Sequence, residues 1–306
     1  MVQVVAFWGA FLYFPFLILA AFVYRRGGKW LRLATAAAVA GTSVLAYARF
    51  VEPRFLTVHQ EEIVLPGAAP DGPAIRVALV ADTHYGLFRH ATPLKTIVRK
   101  VNAQNVDAVF FAGDFSYRLK AHQFEAAAEP LKALDAQMYA VLGNHDLGDP
   151  GTDMSDPLRR AFVRNGVEFI ENRAVDVQIG GQRVIVGGAS QYWRWFPRYR
   201  YTVALPEGVP VILLAHNPDN ALYVPKDIDF DIMLAGHTHG GQMRVPFLFR
   251  DFIPTEWPFD KGLHVAPAPS GDKPVYVTPG TGMVNLPFRF LMPPRIDILT
   301  IRLPAG

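Results

Sequence analysis

The stretch Ile75–His84 reads IRVALVADTH, and its pattern decides the class of fold. A largely apolar run, Ile75–Ala81, is followed at once by Asp82, Thr83 and His84. Such a run, bounded by polar residues, is typical of a strand buried in a parallel sheet. Side chains directly after the strand lie at the carboxyl edge of the sheet, where open α/β folds place their functional sites.

Four further apolar runs end in polar side chains in the same way. The runs are Ala108–Ala112, Met138–Leu142, Val209–Ala215 and Asp231–Ala235. They are followed by Asp114, by Asn144, His145 and Asp146, by His216, and by His237 and His239. A single Gly-Asp is usually only a turn, and a single apolar-flanked histidine is usually part of a core. The repetition at five strand ends favours one shared site instead.

The remaining pattern predicts a mixed α/β domain with a β-rich second half. Helical stretches at Pro93–Gln104 and Gln123–Leu134 alternate with the first strands, which gives the order β-α-β-α-β. Further strand-like runs are Val167–Ile170, Val175–Ile179, Arg183–Val186, Pro274–Val277 and Ile296–Ile301. We expect one domain over residues 74–306, preceded at 51–73 by a linker with one possible edge strand, Thr57–Leu65.

Composition narrows the possible functions. The chain has 306 residues, of which 51% are hydrophobic, so it can fill a sizeable core and is not disordered. It has no cysteine, which excludes disulfides, thiolate zinc sites and cysteine nucleophiles. The net charge of +3 is too small to indicate nucleic-acid binding.

Residues 1–50 predict a membrane anchor of one or two helices. Val4–Tyr24 has no charged residue and is close to the length needed to cross about 30 Å of hydrocarbon. Leu33–Ala48 is weaker and fits a second short span, a secretory signal or an interfacial helix. The basic residues between these runs favour a cytoplasmic position; they are Arg25, Arg26, Lys29 and Arg32. If residues 33–48 cross the membrane, the domain that follows lies outside the cytoplasm, and this is the alternative that we favour. If they do not cross, the domain lies in the cytoplasm.

The polar side chains at the strand ends form a donor set for metal ions. They include two aspartates, one asparagine and four histidines, and they lack thiolates. Seven donors are too many for one tetrahedral zinc ion, but they fit two ions about 3.5–4 Å apart that share a carboxylate. Imidazole with carboxylate suits Zn, Fe or Mn, among which the sequence does not choose.

The order of these motifs resembles the calcineurin-like metallophosphoesterase family. The motifs D-x-H, G-D, G-N-H-D, a lone H and G-H-T-H-G-G-Q run from Asp82 to Gln242, and the last resembles the membrane-anchored branch. The later segments T-P-G-T-G (Thr278–Gly282), L-P-F-R (Leu286–Arg289) and P-P-R-I (Pro293–Ile296) resemble that branch as well. The resemblance implies a four-layer αββα sandwich of two mixed sheets flanked by helices.

The resemblance also implies the role of each site residue. It implies one metal site of Asp82, His84 and His239, a second of Asn144, His216 and His237, and Asp114 as the bridge. His145 matches the catalytic histidine of the family, and we expect Asp146 to support it. Many relatives have an Asp that orients this histidine where this chain has Tyr117, so the orientation of His145 needs another explanation here. Arg118 matches an arginine that some relatives aim at phosphate, and a surface arginine is the equal alternative.

We therefore expect a phosphoesterase with two divalent ions. The ions would hold a bridging water, lower its pKa and neutralise charge on the phosphate oxygens. His145 would then contact the phosphoryl group or protonate the leaving oxygen, and a purely supporting role is its alternative.

Two aromatic segments suggest where a substrate binds. They are Tyr192–Tyr201, which interleaves rings with arginine, and Pro246–Pro254, with Trp257–Phe259 just beyond. Beside a metal site on an anchored domain, exposed rings suggest a lipid phosphate or contact with the bilayer; packing into the core is the equal alternative. We expect a phosphodiester or pyrophosphate bond in a lipid-linked substrate. The alternatives are a general phosphomonoesterase, a cyclic-nucleotide phosphodiesterase or a non-enzymatic metal-dependent scaffold.

Overall fold

The computed structural model describes residues 6, 8–86, 93–189, 206 and 208–304. The strands are β1 (Thr57–Val64), β2 (Ala74–Val80), β3 (Tyr85–Gly86), β4 (Ala108–Ala112), β5 (Ser116–Tyr117), β6 (Gln137–Val141), β7 (Val167–Phe169), β8 (Ala174–Ile179), β9 (Gln182–Gly188), β10 (Val211–Leu214), β11 (Ile232–Ala235), β12 (Gly262–Ala268), β13 (Gly271–Val277) and β14 (Arg295–Arg302). The α-helices are α1 (Tyr13–Arg26), α2 (Lys29–Ala46), α3 (Leu94–Asn102), α4 (Phe124–Ala128) and α5 (Ser155–Arg164).

The domain contains two six-stranded mixed sheets and a small two-stranded sheet of β3 and β5, and the two large sheets confirm the predicted fold class. The first has the order β1-β14-β2-β4-β6-β7 and the second β12-β13-β11-β10-β9-β8. In the first sheet β2, β4, β6 and β7 are parallel, and β14 runs against β2. In the second, β9, β10, β11 and β13 are parallel, with antiparallel strands at both edges. The parallel strands of each sheet therefore end at one edge.

Apolar side chains pack in three layers around the two sheets. The central layer joins the facing sides of the sheets, and it includes Leu79, Phe110 and Leu234. Helices α3, α4 and α5 cover the outer side of the first sheet. Helix α3 buries residues at positions i, i+3, i+4 and i+7, as an amphipathic helix on a sheet must: Leu94, Ile97, Val98 and Val101. The outer side of the second sheet packs against Ala221, which lies in a short 3₁₀ turn, and against nearby loops.

Three elements differ from the sequence prediction. The helical stretch Gln123–Leu134 is α4 followed by a 3₁₀ helix at Glu129–Ala133, where Pro130 supplies no amide hydrogen. Strand β12 was not predicted because Pro267 interrupts its pattern, and proline is tolerated there because β12 is an edge strand. The possible edge strand before residue 74 is β1, which pairs with β14 along its whole length, so the first sheet begins before the expected boundary at residue 74.

Helices α1 and α2 form an antiparallel hairpin ahead of the domain. They are joined at Gly27 and Gly28, and Tyr13 Oη lies 2.9 Å from Ser43 Oγ. Within the part of the chain that the structure describes, one helix is long and apolar enough to cross a membrane, residues 29–54, which continues α2. The first predicted span, Val4–Tyr24, lies partly outside the described residues.

Candidate metal centre

The carboxyl ends of β2, β4, β6, β10 and β11 meet and bring the predicted polar side chains together. The seven residues are almost completely buried: Asp82, His84, Asp114, Asn144, His216, His237 and His239. They come from both sheets, and the two sheets face each other across this edge. A cluster of this kind is costly to bury unless its polar atoms share a partner.

One group of three side chains lies at the end of β2. Asp82 Oδ1 is 3.6 Å from His239 Nε2 and 3.9 Å from His84 Nε2, and the two Nε2 atoms are 2.9 Å apart. These three ligand atoms are close enough together to hold one metal ion. Within the described residues Asp82 Oδ1 is buried without a hydrogen-bond donor, so a buried acceptor points into this space.

A second group lies at the ends of β6, β10 and β11. His216 Nε2 is 3.1 Å from Asn144 Oδ1 and 3.1 Å from His237 Nδ1. The Asn144 amide nitrogen donates to Asp149 O at 2.6 Å, which turns Oδ1 of Asn144 towards the imidazoles. His216 Nδ1 donates to Ala112 O at 2.8 Å, so in the neutral ring Nε2 is left as an acceptor.

Asp114 lies between the two groups. Its Oδ2 atom is 3.6 Å from His84 Nε2 on one side and 3.3 Å from His216 Nε2 on the other. Its Oδ1 atom accepts the His145 amide hydrogen at 2.9 Å. Asp82 divides its oxygens in the same way, since its Oδ2 accepts the His237 amide hydrogen at 2.9 Å. Each carboxylate is thus held by one oxygen and presents the other to the centre.

Three of the four histidines proposed as ligands are neutral, because burial lowers their pKa values. Burial lowers the pKa of His84 and of His237 to about 3, and it holds the pKa of His239 well below its usual value. A neutral imidazole has the lone pair that a metal ion needs.

His216 and Asp114 behave differently from the other buried groups. Burial alone would lower the pKa of His216, but the carboxylates of Asp114 and Asp82 raise it to about 9. The same interaction holds the pKa of Asp114 well below its usual range against the effect of burial. The centre therefore favours positive charge beside Asp114, as a cation would supply.

Several site residues have a left-handed backbone, which costs energy for residues other than glycine. They are Asp82 (φ 52°), His84 (φ 42°), Asp114 (φ 57°), His237 (φ 71°) and His239 (φ 51°). These conformations turn the side chains sharply inward directly after their strands. The fold therefore holds these residues in backbone conformations that they would not adopt in an isolated peptide.

We expect Gly143→Ala to disrupt the centre. An ideal Cβ at residue 143 would lie 2.0 Å from Asp114 Oδ1, so the carboxylate must move and the variant should lose about 1–3 kcal/mol of stability. Thermal unfolding and hydrolysis rate would measure the two effects. Gly28→Ala, whose added Cβ has no neighbour within 4 Å, is the control, and equal behaviour of the two variants would contradict the geometry.

His145 lies at the less buried side of the centre, with a ring nitrogen within 4.8 Å of ligand atoms of His84 and Asp114. Its ring makes edge-to-face contacts with His84 at 5.0 Å and with Tyr117 at 5.2 Å between centroids. Tyr117 also packs edge-to-face on His84 at 5.6 Å. Tyr117, which stands where the family resemblance implies an Asp, therefore contacts the His145 ring by aromatic packing.

The Asp146 carboxylate contacts the backbone, although we expected it to support His145. Its oxygens accept hydrogen bonds from the amides of Phe115, Ser116 and Gly143 at 3.0–3.1 Å. Burial raises the pKa of Asp146 to about 7. These contacts tie the loop after β4 to the loop after β6, so Asp146 positions Asp114 and Asn144 through the backbone.

Arg289 is a site-supporting residue to which the sequence analysis gave no role. Its guanidinium is fully buried and donates to the carbonyls of Gly282 (2.8 Å), Met292 (3.0 Å) and Pro279 (2.9 Å). The loop that it holds packs behind Asp82, because Gly282 N donates to Asp82 O at 2.7 Å. Its only sequence signal was its place in the L-P-F-R segment.

Two cavities flank the centre and meet at Asn285. One, of about 420 Å³, extends from His237 and His239 over largely apolar residues that include Leu248 and Phe252. The other, of about 480 Å³, includes His145, Arg118 and Lys120 among its lining residues.

The two aromatic segments that we expected near the substrate differ in what the structure shows of them. Tyr192–Tyr201 lies outside the described residues. Phe259 is in the core, and Phe249 packs under the Arg244 guanidinium at 3.9 Å. Phe247 and Phe252 remain exposed, so the second segment divides between core and surface.

Comparison with known proteins identifies similar chains. A family model described as calcineurin-like phosphoesterase matches residues 75–241, more than half of the chain. The uncharacterized metallophosphoesterase YkuE of Bacillus subtilis is 29% identical over 284 residues, 90% of this chain and 95% of that protein. Phosphodiesterase YaeI of Escherichia coli is 28% identical over 81% of this chain and 90% of its own length. The UDP-2,3-diacylglucosamine pyrophosphatase LpxG of Chlamydia muridarum is 27% identical over 87% of this chain and 95% of its own length.

Proposed function

Because the chain belongs to the calcineurin-like phosphoesterase family and is a metal-dependent phosphoesterase, we propose the following function. It is a membrane-anchored enzyme that binds two divalent transition-metal ions, Mn, Zn or Fe, and hydrolyses a phosphodiester or pyrophosphate bond in a lipid-linked substrate. The observation that carries the two-ion assignment is the position of Asp114 Oδ2 between His84 Nε2 and His216 Nε2. One carboxylate oxygen facing two sets of nitrogen and oxygen donors is the arrangement of a shared ligand.

The proposed ligands follow the two groups at the centre. Asp82, His84 and His239 would hold one ion, Asn144, His216 and His237 would hold the other, and Asp114 would be shared between them. When bound, the ions supply an activated water and neutralise charge that develops on the phosphoryl oxygens.

The chain's own residues do the remaining work of the reaction. His145 lies next to the centre and faces the cavity of about 480 Å³, from which it can contact a phosphoryl oxygen or the leaving group. Tyr117 holds the His145 ring in place. Arg118 lines the same cavity and supplies a cationic group for an anionic substrate.

The cavity of about 420 Å³ supports the proposal that the substrate has an apolar part. It begins at His237 and His239 and continues along Val245, Leu248 and Phe252. A molecule with a phosphate group and a hydrocarbon part could place its phosphate at the metal centre and its hydrocarbon part in this cavity. The relative named as a diacylglucosamine pyrophosphatase acts on a substrate of this kind.

The hairpin supports a membrane position with the domain outside the cytoplasm. Helix α2 has 18 residues and is about 27 Å long, close to the hydrocarbon thickness. Because α1 and α2 are antiparallel, the start of α1 and the end of α2 lie together, on the side of the domain. The basic residues Arg25, Arg26 and Lys29 lie at the opposite end, where a cytoplasmic position is favoured.

Removal of metal is expected to abolish hydrolysis. Chelation and dialysis should lower the rate on a soluble phosphodiester by about a hundred-fold or more, and Mn²⁺ or Zn²⁺ should restore it. The restored enzyme is then compared on a phosphodiester, a phosphomonoester and a lipid-linked pyrophosphate in mixed micelles. An unchanged rate after complete chelation would contradict the two-ion proposal, and a preference for the monoester would contradict the proposed substrate class.

A further inference from the structure

Five apolar side chains project into solvent beside the cavity of about 420 Å³. We call them the apolar rim: Phe247, Leu248, Phe252, Leu286 and Leu291. Phe247 is 98% exposed and Phe252 is 78% exposed. Exposed apolar residues grouped at the mouth of a cavity mark a contact surface rather than ordinary surface variation.

Two of these exposed side chains have a strained backbone. Phe247 has φ 70° and Leu291 has φ 55°, a region that bulky side chains rarely occupy. The strain is not explained by packing of these side chains, because both point into solvent. It is explained if the fold must present them outward.

The rim is firmly connected to the metal centre. Gln242, three residues after His239, donates from Nε2 to the carbonyls of Val284 and Leu286 at 3.0 Å and accepts from Val284 N at 2.9 Å. Arg244 N donates to Phe290 O at 2.8 Å. The two loops of the rim are therefore one unit with the end of β11.

The same unit is joined to the base of the hairpin. Arg289 N donates to Ala48 O at 2.9 Å, and Met292 N donates to Glu52 Oε1 at 2.6 Å. Phe288 shares an apolar cavity with residues of both hairpin helices. The exposed apolar surface of the hairpin and the rim are thus adjoining parts of one surface.

We propose that the apolar rim enters the same leaflet of the bilayer as the base of the hairpin, and that the cavity of about 420 Å³ opens to that leaflet. This inference rests on the proposed function, since it requires the hairpin to be in the membrane. Its occupant is lipid because the rim continues the apolar surface of the hairpin. A lipid-linked substrate then reaches His237 and His239 without crossing water.

The absence of cysteine from the chain allows a direct test by site-specific labelling. Phe247→Cys carries an environment-sensitive fluorophore in the full chain, reconstituted in phosphatidylcholine–phosphatidylglycerol vesicles. Lys132→Cys is the control, because Lys132 is exposed and precedes β6 at the edge opposite the metal centre. We expect the probe at residue 247 to be quenched by a lipid-borne quencher, and the probe at residue 132 by aqueous iodide.

The outcomes separate this inference from the proposed function. If the protein floats with the vesicles and hydrolyses a phosphodiester, but the probe at residue 247 is as accessible to iodide as that at 132, the rim does not insert. A protein that does not float with the vesicles overturns the membrane anchor and the rim together. A protein whose probe inserts but which hydrolyses no phosphoester leaves the rim standing and overturns the proposed reaction.

A second variant tests the role of the rim in substrate access. Phe247→Ser combined with Leu291→Ser alters two rim residues that do not line the cavity. We expect hydrolysis of a vesicle-embedded lipid phosphodiester to fall about ten-fold. Hydrolysis of a soluble ester should stay unchanged. Equal losses on both substrates would show a structural effect and overturn the inference.

Discussion

Replacing Asp114 with Asn is expected to lower the rate of phosphoester hydrolysis about a thousand-fold. The substituted side chain would keep an acceptor for the His145 amide hydrogen, which Asp114 Oδ1 holds at 2.9 Å. Its NH₂ group would then lie between His84 and His216, where one carboxylate oxygen now faces both. The variant therefore removes the shared negative charge and changes the shape very little.

Metal analysis and kinetics together check this expectation. Purified Asp114→Asn should retain less than the full complement of bound Mn²⁺ and should show a similar melting temperature without metal. Asp176→Asn is the matched control, because Asp176 lies on the edge strand β8 and forms an exposed ion pair with Arg183. Two bound ions and an unchanged rate in Asp114→Asn would contradict the bridging role.

Replacing Arg289 with Met is expected to cost about 3–5 kcal/mol of stability. The change removes a fully buried charge and leaves the carbonyls of Pro279, Gly282 and Met292 without their donor. A buried carbonyl that loses its hydrogen-bond donor destabilises the folded state by the free energy of its desolvation. Arg289 also lies close enough to Asp82 to favour its ionised form, so metal affinity should fall as well.

Chemical unfolding and metal titration would measure the two effects of Arg289. Arg183→Met is the control, since Arg183 forms an exposed ion pair and its replacement should leave the free energy of unfolding almost unchanged. Arg289→Lys keeps the positive charge but has fewer hydrogen-bond donors. Its metal affinity should therefore lie between that of Arg289→Met and that of the unmodified chain. If Arg289→Met unfolds at the same denaturant concentration as the unmodified chain, the buried network does not support the site.

The predicted strands agree closely with the structure where the pattern is local. The run Ala108–Ala112 is β4 without change, and Val175–Ile179 differs from β8 by one residue. The continuous apolar run of β4 fits a strand that is covered on both faces, and the alternation of apolar and polar residues in β8 fits a strand that is covered on one face. Strand β12 was not predictable, because its proline is acceptable only at a sheet edge, and edges are fixed by the order of strands.

The candidate site, like the fold, could be predicted from the sequence only in part. The donor residues could be named from the sequence because each follows an apolar run. The sequence did not indicate which carboxylate oxygen is held by the backbone, nor that Asp146 binds amides of two loops. The contacts of Asp146 with Phe115 and of Asp114 with His145 join residues 31 positions apart, and that of Asp82 with His237 joins residues 155 apart, so no short-range pattern records them.

The chain's amino-acid sequence alone determined the class of fold, the polar donor residues at the strand ends and an apolar N-terminal segment of one or two helices, because strand periodicity and residue chemistry are local properties. The tertiary structure decided that Asp114 faces both groups, that Tyr117 packs against the His145 ring and that Arg289 holds the loop behind Asp82. It also decided that the apolar rim adjoins the hairpin, through contacts such as that of Glu52 with Met292. These features depend on which distant segments meet when both sheets close, and only the folded chain brings them together.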